Sequence, residues 1–337
     1  MNVLIHAPAW VGDAVMANSL LQQLKIDHPS ARLTVMAAPH IAPVMRRMAE
    51  VDEVLVLPYP RGGLQLRQRW QQGRQLRERA FDQALILPRT FKTALIPFFA
   101  RIPVRIGFGG ELRSWLLTDA RQRLPRTVNG QIADQTVRRY LSLGLADGQT
   151  AGLEVPQPRL TIDDGNRFAL LDQLALSTAS PIIALAPGAE FGPAKQWPVA
   201  HYGELARQLM NQGKQVWVFG SPKDKATGEA IAEQAPGLIN LCGQTKMEDA
   251  IDLLSLADAI VANDSGLMHV GAAVGIHVVG LFGSTSPEFT PPLTANATIL
   301  RTGIDCSPCF KRVCPYGHTR CLTELPVSWV MDALTSH

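Results

Sequence analysis

Two short polar turns interrupt apolar runs at points where reactive groups would be presented. The first is Trp10-Val11-Gly12-Asp13, between the apolar run Asn2 to His6 and a helical pattern over Asp13 to Ile26. A carboxylate at a helix start, with glycine beside it, can act as a general base on a hydroxyl. The same position suits an N-cap, where the helix dipole weakens its basicity. The second turn is Asn263-Asp264-Ser265-Gly266-Leu267-Met268-His269, between Ala257 to Ala262 and the small-residue run Val270 to Gly275. It offers free backbone N–H groups, a hydroxyl and an imidazole at the positive end of a helix, which suits a phosphate or pyrophosphate. Asp264 and Ser265 are also ordinary caps, so the residues alone leave both readings of each turn open.

These turns need rigid elements to hold them. Strand-like and helix-like stretches alternate through both halves, as in parallel, doubly wound α/β sheets. Other loops fall at strand ends: Arg89-Thr90-Phe91-Lys92-Thr93, the Gly/Pro-rich loop Pro187 to Pro198 with Lys195, Gly220-Ser221-Pro222-Lys223-Asp224, Gly243 to Met247, and Gly283 to Pro287. Open α/β sheets bind ligands at such ends. In the second half the inventory fits a nucleoside diphosphate: a lysine for charge, N–H groups for oxygens and a carboxylate for ribose hydroxyls. The first half offers a similar rim with Asp13 and Arg89, so a cleft between two sheets is the expected active site. Arg105 to Glu111 lacks the third glycine of a dinucleotide fingerprint, and no Walker A pattern occurs.

With 337 residues, two domains are expected. Gly, Pro and Gln enrichment marks a linker at about 151–159, which separates domain 1–150 from domain 160–337, and the C-terminal segment could return to the first domain. No basic leader precedes the first strand, and no apolar run approaches the ~20 residues of a membrane span. Residues 1–150 hold 20 Lys+Arg against 11 Asp+Glu, and residues 151–337 hold 12 against 18. Eighteen of the first twenty are arginine, which favours a partner with phosphates or carboxylates. The basic run from Arg61 to Arg79 reads as a solvated helix face or as a contact for an anionic acceptor or membrane surface. Cys306, Cys309, Cys314 and Cys321 follow C-x2-C-x4-C-x6-C. Free thiols, a structural zinc and an iron–sulfur cluster are the readings this spacing leaves open.

Several segments together resemble glycosyltransferase family 9, the ADP-heptose:lipopolysaccharide heptosyltransferases, most closely the branch acting in the inner core. They are Trp10 to Asp13, Leu87 to Lys92, Pro97 to Ala100, Pro187 to Lys195, Phe219-Gly220-Ser221, Asn263 to His269 and Ser286 to Pro292. The resemblance implies a GT-B fold, with two Rossmann-like domains facing across a cleft. It implies an inverting single displacement that moves L-glycero-D-manno-heptose from ADP-heptose to the first heptose of heptosyl-Kdo2-lipid A. By position, Asp13 resembles the general base and Lys195 the diphosphate lysine, with Gly188, Glu190, Ser221, Asp264, Ser265, Gly266 and His269 around the donor. Asp224 matches a ribose-binding carboxylate and Met247 an adenine contact. Trp10, Gly12, Arg61, Arg89 and Lys92 fall to the acceptor side, which carries Kdo carboxylates and lipid phosphates. With no Asp-x-Asp motif, the leaving diphosphate is expected to be met by lysine, helix dipole and amides without a cofactor. The expected protein is a cytoplasmic monomer, peripheral on the inner membrane, with no nucleic-acid partner.

Two rivals carry distinct tests. A GT-B sugar-nucleotide epimerase would alter ADP-heptose without an acceptor. A nucleic-acid or membrane-binding module would explain the arginines but not the strand-end loops of the second half, and would bind nucleic acid with strong salt dependence and ignore ADP.

Overall fold

The computed structural model describes residues 1–59, 63–125, 127–128, 131–132, 134–146 and 148–335. The chain divides into two compact units, Met1–Pro158 and Arg159–His337.

In the first unit, strands β1 (Asn2–His6), β2 (Arg32–Ala37), β3 (Glu53–Val56), β4 (Gln83–Ile86), β5 (Val104–Phe108) and β6 (Asp119–Arg121) form one parallel sheet in the order β3-β2-β1-β4-β5-β6. A short antiparallel pair follows, β7 (Thr127–Val128) with β8 (Gln131–Ile132). The helices are α1 (Val11–Asp27), α2 (Ala42–Arg46), α3 (Leu66–Leu76), α4 (Leu95–Phe99) and α5 (Thr136–Gly144). Val3, Leu4 and Ile5 of β1 are buried because helices cover both faces of a parallel sheet, so a central strand reads as an unbroken apolar run. Helix α1 is buried along most of its length and packs against α5. The Pro-rich stretch before the second unit is tied to α1: Ser19 donates to the Pro156 carbonyl at 2.5 Å and Gln22 to that of Gln157 at 2.7 Å.

The second unit repeats the topology. Its helices are α6 (Asp164–Gln173), α7 (Val199–Asn211), α8 (Lys225–Gln234), α9 (Met247–Leu254), α10 (Gly266–Val274), α11 (Arg320–Thr323) and α12 (Val327–Thr335). Strands β9 (Ile182–Ala186), β10 (Gln215–Val218), β11 (Ile239–Asn240), β12 (Ala259–Asn263), β13 (His277–Leu281) and β14 (Ala297–Leu300) pair in the order β11-β10-β9-β12-β13-β14, all parallel. Every residue of β9, β12 and β13 is buried. Helix α12 packs on α7 and on β13 and β14, within the second unit, and adds Val330, Ala333 and Leu334 to its core.

Both sheets share one consequence of strand order. Strand order reverses between β1 and β4 and between β9 and β12, successive strands being added first on one side and then on the other, which opens a crevice at their carboxyl ends. In the first unit the loops flanking that point are 7–10 and 87–94; in the second they are 187–198 and 264–265.

Candidate active site

At the first crevice, β1 runs into α1 through Trp10, whose backbone is extended and whose side chain makes no cap. Asp13 is the third residue of the helix, so it is not the N-cap its position in the sequence allows. Its carboxylate accepts a hydrogen bond from the Tyr140 hydroxyl on α5. Tyr140 is buried, and burial together with the negative charge of Asp13 pushes its ionisation well above the usual tyrosine range. Tyr140 therefore stays a donor, and a donor to the charged form of a carboxylate fixes its orientation.

The neighbouring loop, 88–93, hangs on Arg113, which is fully buried. Its guanidinium donates to the carbonyls of Phe108 (2.7 and 2.9 Å), Pro88 (2.6 Å) and Thr90 (3.1 Å) and to the Thr93 hydroxyl (3.0 Å). Burial lowers Arg113 to about 10, so it remains charged at neutral pH. His6 at the end of β1 meets the Thr93 carbonyl at 3.0 Å, and burial first, then Arg69 and Arg113, lower it to about 4. This scaffold presents Arg89 to solvent. Burial chiefly lowers Arg89, then repulsion from Arg123 and Arg139, with Asp134 and Glu111 acting the other way. Arg139 pairs with Asp134 at 3.2 Å, and Glu111 accepts from the Phe91 amide at 2.9 Å. An arginine group thus stands near Asp13, and its members Arg123 and Arg139 escape a reading by strand ends alone.

Other expected acceptor residues have different surroundings. Lys92 is half-buried, and its carbonyl accepts from Arg69 at 3.1 Å. Gly12 is the second residue of α1, and Arg61 lies outside the described residues. Part of the basic run is structural: Arg69 is buried against Tyr59, Arg79 pairs with Glu53, and Arg77 donates to the Phe99 carbonyl at 2.9 Å, while Arg67 and Arg74 are exposed.

At the second crevice, Asn263 closes the end of β12. It is fully buried, donates to the Pro187 carbonyl at 2.7 Å and accepts from the Trp197 amide at 3.0 Å, so one side chain grips both ends of the Lys195 loop. Lys195 donates to the Asp264 carboxylate at 2.6 Å and to its carbonyl at 3.2 Å. The same carboxylate oxygen accepts from the Thr285 hydroxyl at 2.6 Å. Asp264 and Lys195 are only 6% and 13% exposed. Ser265 occupies the N-cap position of α10, but its side chain makes no bond to the helix. The helix start therefore keeps its N–H groups, with Gly266 as its first residue. His269, one turn on, is buried; burial lowers it to about 4, with Asp264 opposing and Lys195 assisting the shift. It is neutral at pH 7 and can donate one N–H.

A second cluster joins Gly188, Ser221 and Asp224. One Asp224 oxygen accepts from the Ser221 amide at 2.8 Å and its hydroxyl at 2.7 Å, a capping box at the turn after β10. A Cβ on Gly188 would lie 2.7 Å from that carboxylate, so only glycine leaves it room. Glu190 pairs with Lys223 at 2.7 Å on an exposed surface, and Met247 is the half-buried first residue of α9. Thr285, absent from the expected set, is the added member of the Lys195–Asp264 group.

The four cysteines line one small cavity with Ser284, whose buried hydroxyl has no partner. All four are free thiols. Among the described residues no group of three or more His, Cys, Asp or Glu is arranged to hold a metal ion, so the spacing that admitted zinc is not matched by ligand geometry as it stands.

Comparison with known proteins bears on the family and the fold. The model of glycosyltransferase family 9 (heptosyltransferase) matches residues 69–320. The lipopolysaccharide heptosyltransferase 2 of Salmonella typhimurium is 40% identical over 100% of this chain and 98% of its own. That of Escherichia coli K12 is 42% identical over 89% of this chain and 88% of its own. The solved structure of E. coli ADP-heptose LPS heptosyltransferase II superposes with a TM-score of 0.87 at 37% identity, covering 100% of this chain and 98% of that one. The two sheets are those of the GT-B fold, and the chain belongs to glycosyltransferase family 9, the heptosyltransferases.

Proposed function

We propose that this enzyme transfers L-glycero-D-manno-heptose from ADP-heptose to the first heptose of heptosyl-Kdo2-lipid A, with inversion at the anomeric carbon. The observation that carries the donor half is the Lys195–Asp264–Thr285 group beside the uncapped start of α10 and the neutral His269. The relatives' names supply the sugar and the nucleotide.

In this reading the first unit binds the acceptor and the second binds the donor. The acceptor hydroxyl gives its proton to the Asp13 carboxylate as its oxygen attacks the anomeric carbon. The bond from that carbon to the diphosphate breaks, and ADP leaves with the electron pair. Its growing charge meets Lys195, the helix N–H groups and the His269 N–H. Tyr140 positions Asp13, while Arg89, Arg123 and Arg139 attract the anionic groups of the acceptor. Asp224 and Met247 would hold the nucleoside. We also propose that the enzyme works as a monomer, peripheral on the cytoplasmic face of the inner membrane; no helix among the described residues is long and apolar enough to cross a membrane.

Incubating the protein and ADP-heptose with either heptosyl-Kdo2-lipid A or Kdo2-lipid A tests the reading. Transfer to the heptosylated acceptor alone is expected. Equal transfer to both would move the activity to another core position, and altered ADP-heptose without acceptor would favour the epimerase. A structural zinc on the four cysteines rests on their convergence alone; one zinc per reduced chain would support it, and a metal-free chain of full activity would remove it.

A further inference from the structure

The donor group as described so far carries no net charge. Lys195 is spent on Asp264, and His269 is neutral at pH 7. A cation beyond that pair would give the site a net positive charge toward a diphosphate.

Arg312 supplies one. It belongs to the cysteine-bearing segment 306–321, which runs against both loops holding the Lys195–Asp264 pair. The Phe310 amide donates to the Ser284 carbonyl at 2.7 Å, and Ser307 donates to that of Gly283 at 2.6 Å, next to Thr285. On the other side the Ala194 amide donates to the Arg312 carbonyl at 3.1 Å, one residue before Lys195. The approach is so close that a Cβ on Gly192 would lie 2.4 Å from that carbonyl, and Gly192 has a φ of 154° that other residues rarely adopt. The backbone of Arg312 is thus fixed relative to Lys195. Its guanidinium lies 5.3 Å from the centre of the Phe191 ring, and the Lys195 ammonium lies 5.0 Å from the same centre. Phe191 therefore gathers two cations in one place. Lys195 has its carboxylate; no ion pair among the described residues includes Arg312, which is exposed.

We infer that Arg312 binds the diphosphate of the donor, and that the cysteine segment serves to deliver it there. A guanidinium held over a ring by cation–π attraction keeps N–H groups free for phosphate oxygens, which its planar fork suits. The inference rests on the donor-site reading above and adds the residue that gives the site its net positive charge.

The test compares ADP with adenosine, by calorimetry or competition, for the wild type, Arg312→Gln and Arg312→Lys. Arg312→Gln is expected to weaken ADP roughly tenfold while adenosine changes less than about twofold, since only the diphosphate loses a charge-assisted contact. The salt dependence of ADP binding should flatten, and Arg312→Lys should recover part of the loss. Unchanged ADP affinity in Arg312→Gln would overturn the inference, as would equal weakening of ADP and adenosine, which marks a purely structural effect. A wild type that does not bind ADP would instead overturn the donor-site reading itself.

Discussion

Removing Lys195 should produce two separable defects, because in the proposed site the lysine serves both a buried carboxylate and the donor. In Lys195→Ala, Asp264 keeps its Thr285 hydrogen bond but loses its counter-ion at 6% exposure. Breaking a buried ion pair from one side costs about 3–5 kcal/mol. The ammonium is slightly solvent-exposed and Thr285 remains, so the low end, about 3 kcal/mol, applies here. For a unit of this size that corresponds to a fall of roughly 6–12 °C in Tm. ADP affinity should drop by about 10- to 100-fold through loss of charge-assisted contacts. The double variant Lys195→Ala/Asp264→Asn separates the two effects. Asparagine still accepts from Thr285 but carries no charge, so most of the lost Tm should return. ADP affinity should stay low, because the cation is still missing. Thermal melts and calorimetry on the wild type, both single variants and the double variant provide the measurement. If the double variant regained ADP affinity to within about twofold of wild type, Lys195 would merely neutralise Asp264 and its place at the diphosphate would be refuted.

Two further outcomes follow from buried groups. Tyr140→Phe removes the donor to the Asp13 carboxylate without changing shape, so the acid limb of the kcat/KM profile should move to higher pH while ADP affinity is unchanged; an unshifted limb with normal folding would remove Tyr140 as the positioning group. His6 and His269 are each lowered by burial to about 4 from 6.5, so above pH 6.5 neither folded nor unfolded chain gains a proton there. Between 6.5 and 4 only the unfolded chain does, and stability should fall with pH by about 3 kcal/mol per histidine; denaturant unfolding at several pH values checks this, and flat stability over that range would contradict the burial of the neutral rings.

The central strands and their polar exits were legible because full burial of a parallel strand leaves an unbroken apolar run, as in β1, β9 and β12. Strand β5, inside its sheet between β4 and β6, was not. Arg105 and Gly107 break the apolar pattern of β5, and the stretch reads as a glycine-rich loop; in the structure the Arg105 side chain turns to the Leu116 carbonyl at 2.7 Å while its backbone stays in the sheet. Helix α5 is short and carries two adjacent arginines, and with it Tyr140 and Arg139 went unread. Asp13 and Lys195 stand at strand ends, where local pattern suffices. The Lys195–Asp264 bond links residues 69 apart, and the burial of Arg113 depends on carbonyls of the 88–93 loop and of Phe108 at the end of β5, so neither leaves a local periodic trace. The same holds for Arg312, whose neighbours Phe191 and Ala194 come from the loop after β9, far earlier in the chain.

The account depends most on Asp13 as the base that starts transfer. The direct measurement is heptose transfer from ADP-heptose to heptosyl-Kdo2-lipid A by Asp13→Asn, alongside its ADP affinity. Asparagine keeps the size of the side chain and can still accept from Tyr140, but cannot take the proton. A loss of roughly 10²–10⁴ in kcat with ADP affinity within about twofold of wild type is the predicted result. Turnover within tenfold of wild type, or equal loss of turnover and ADP binding, would contradict it.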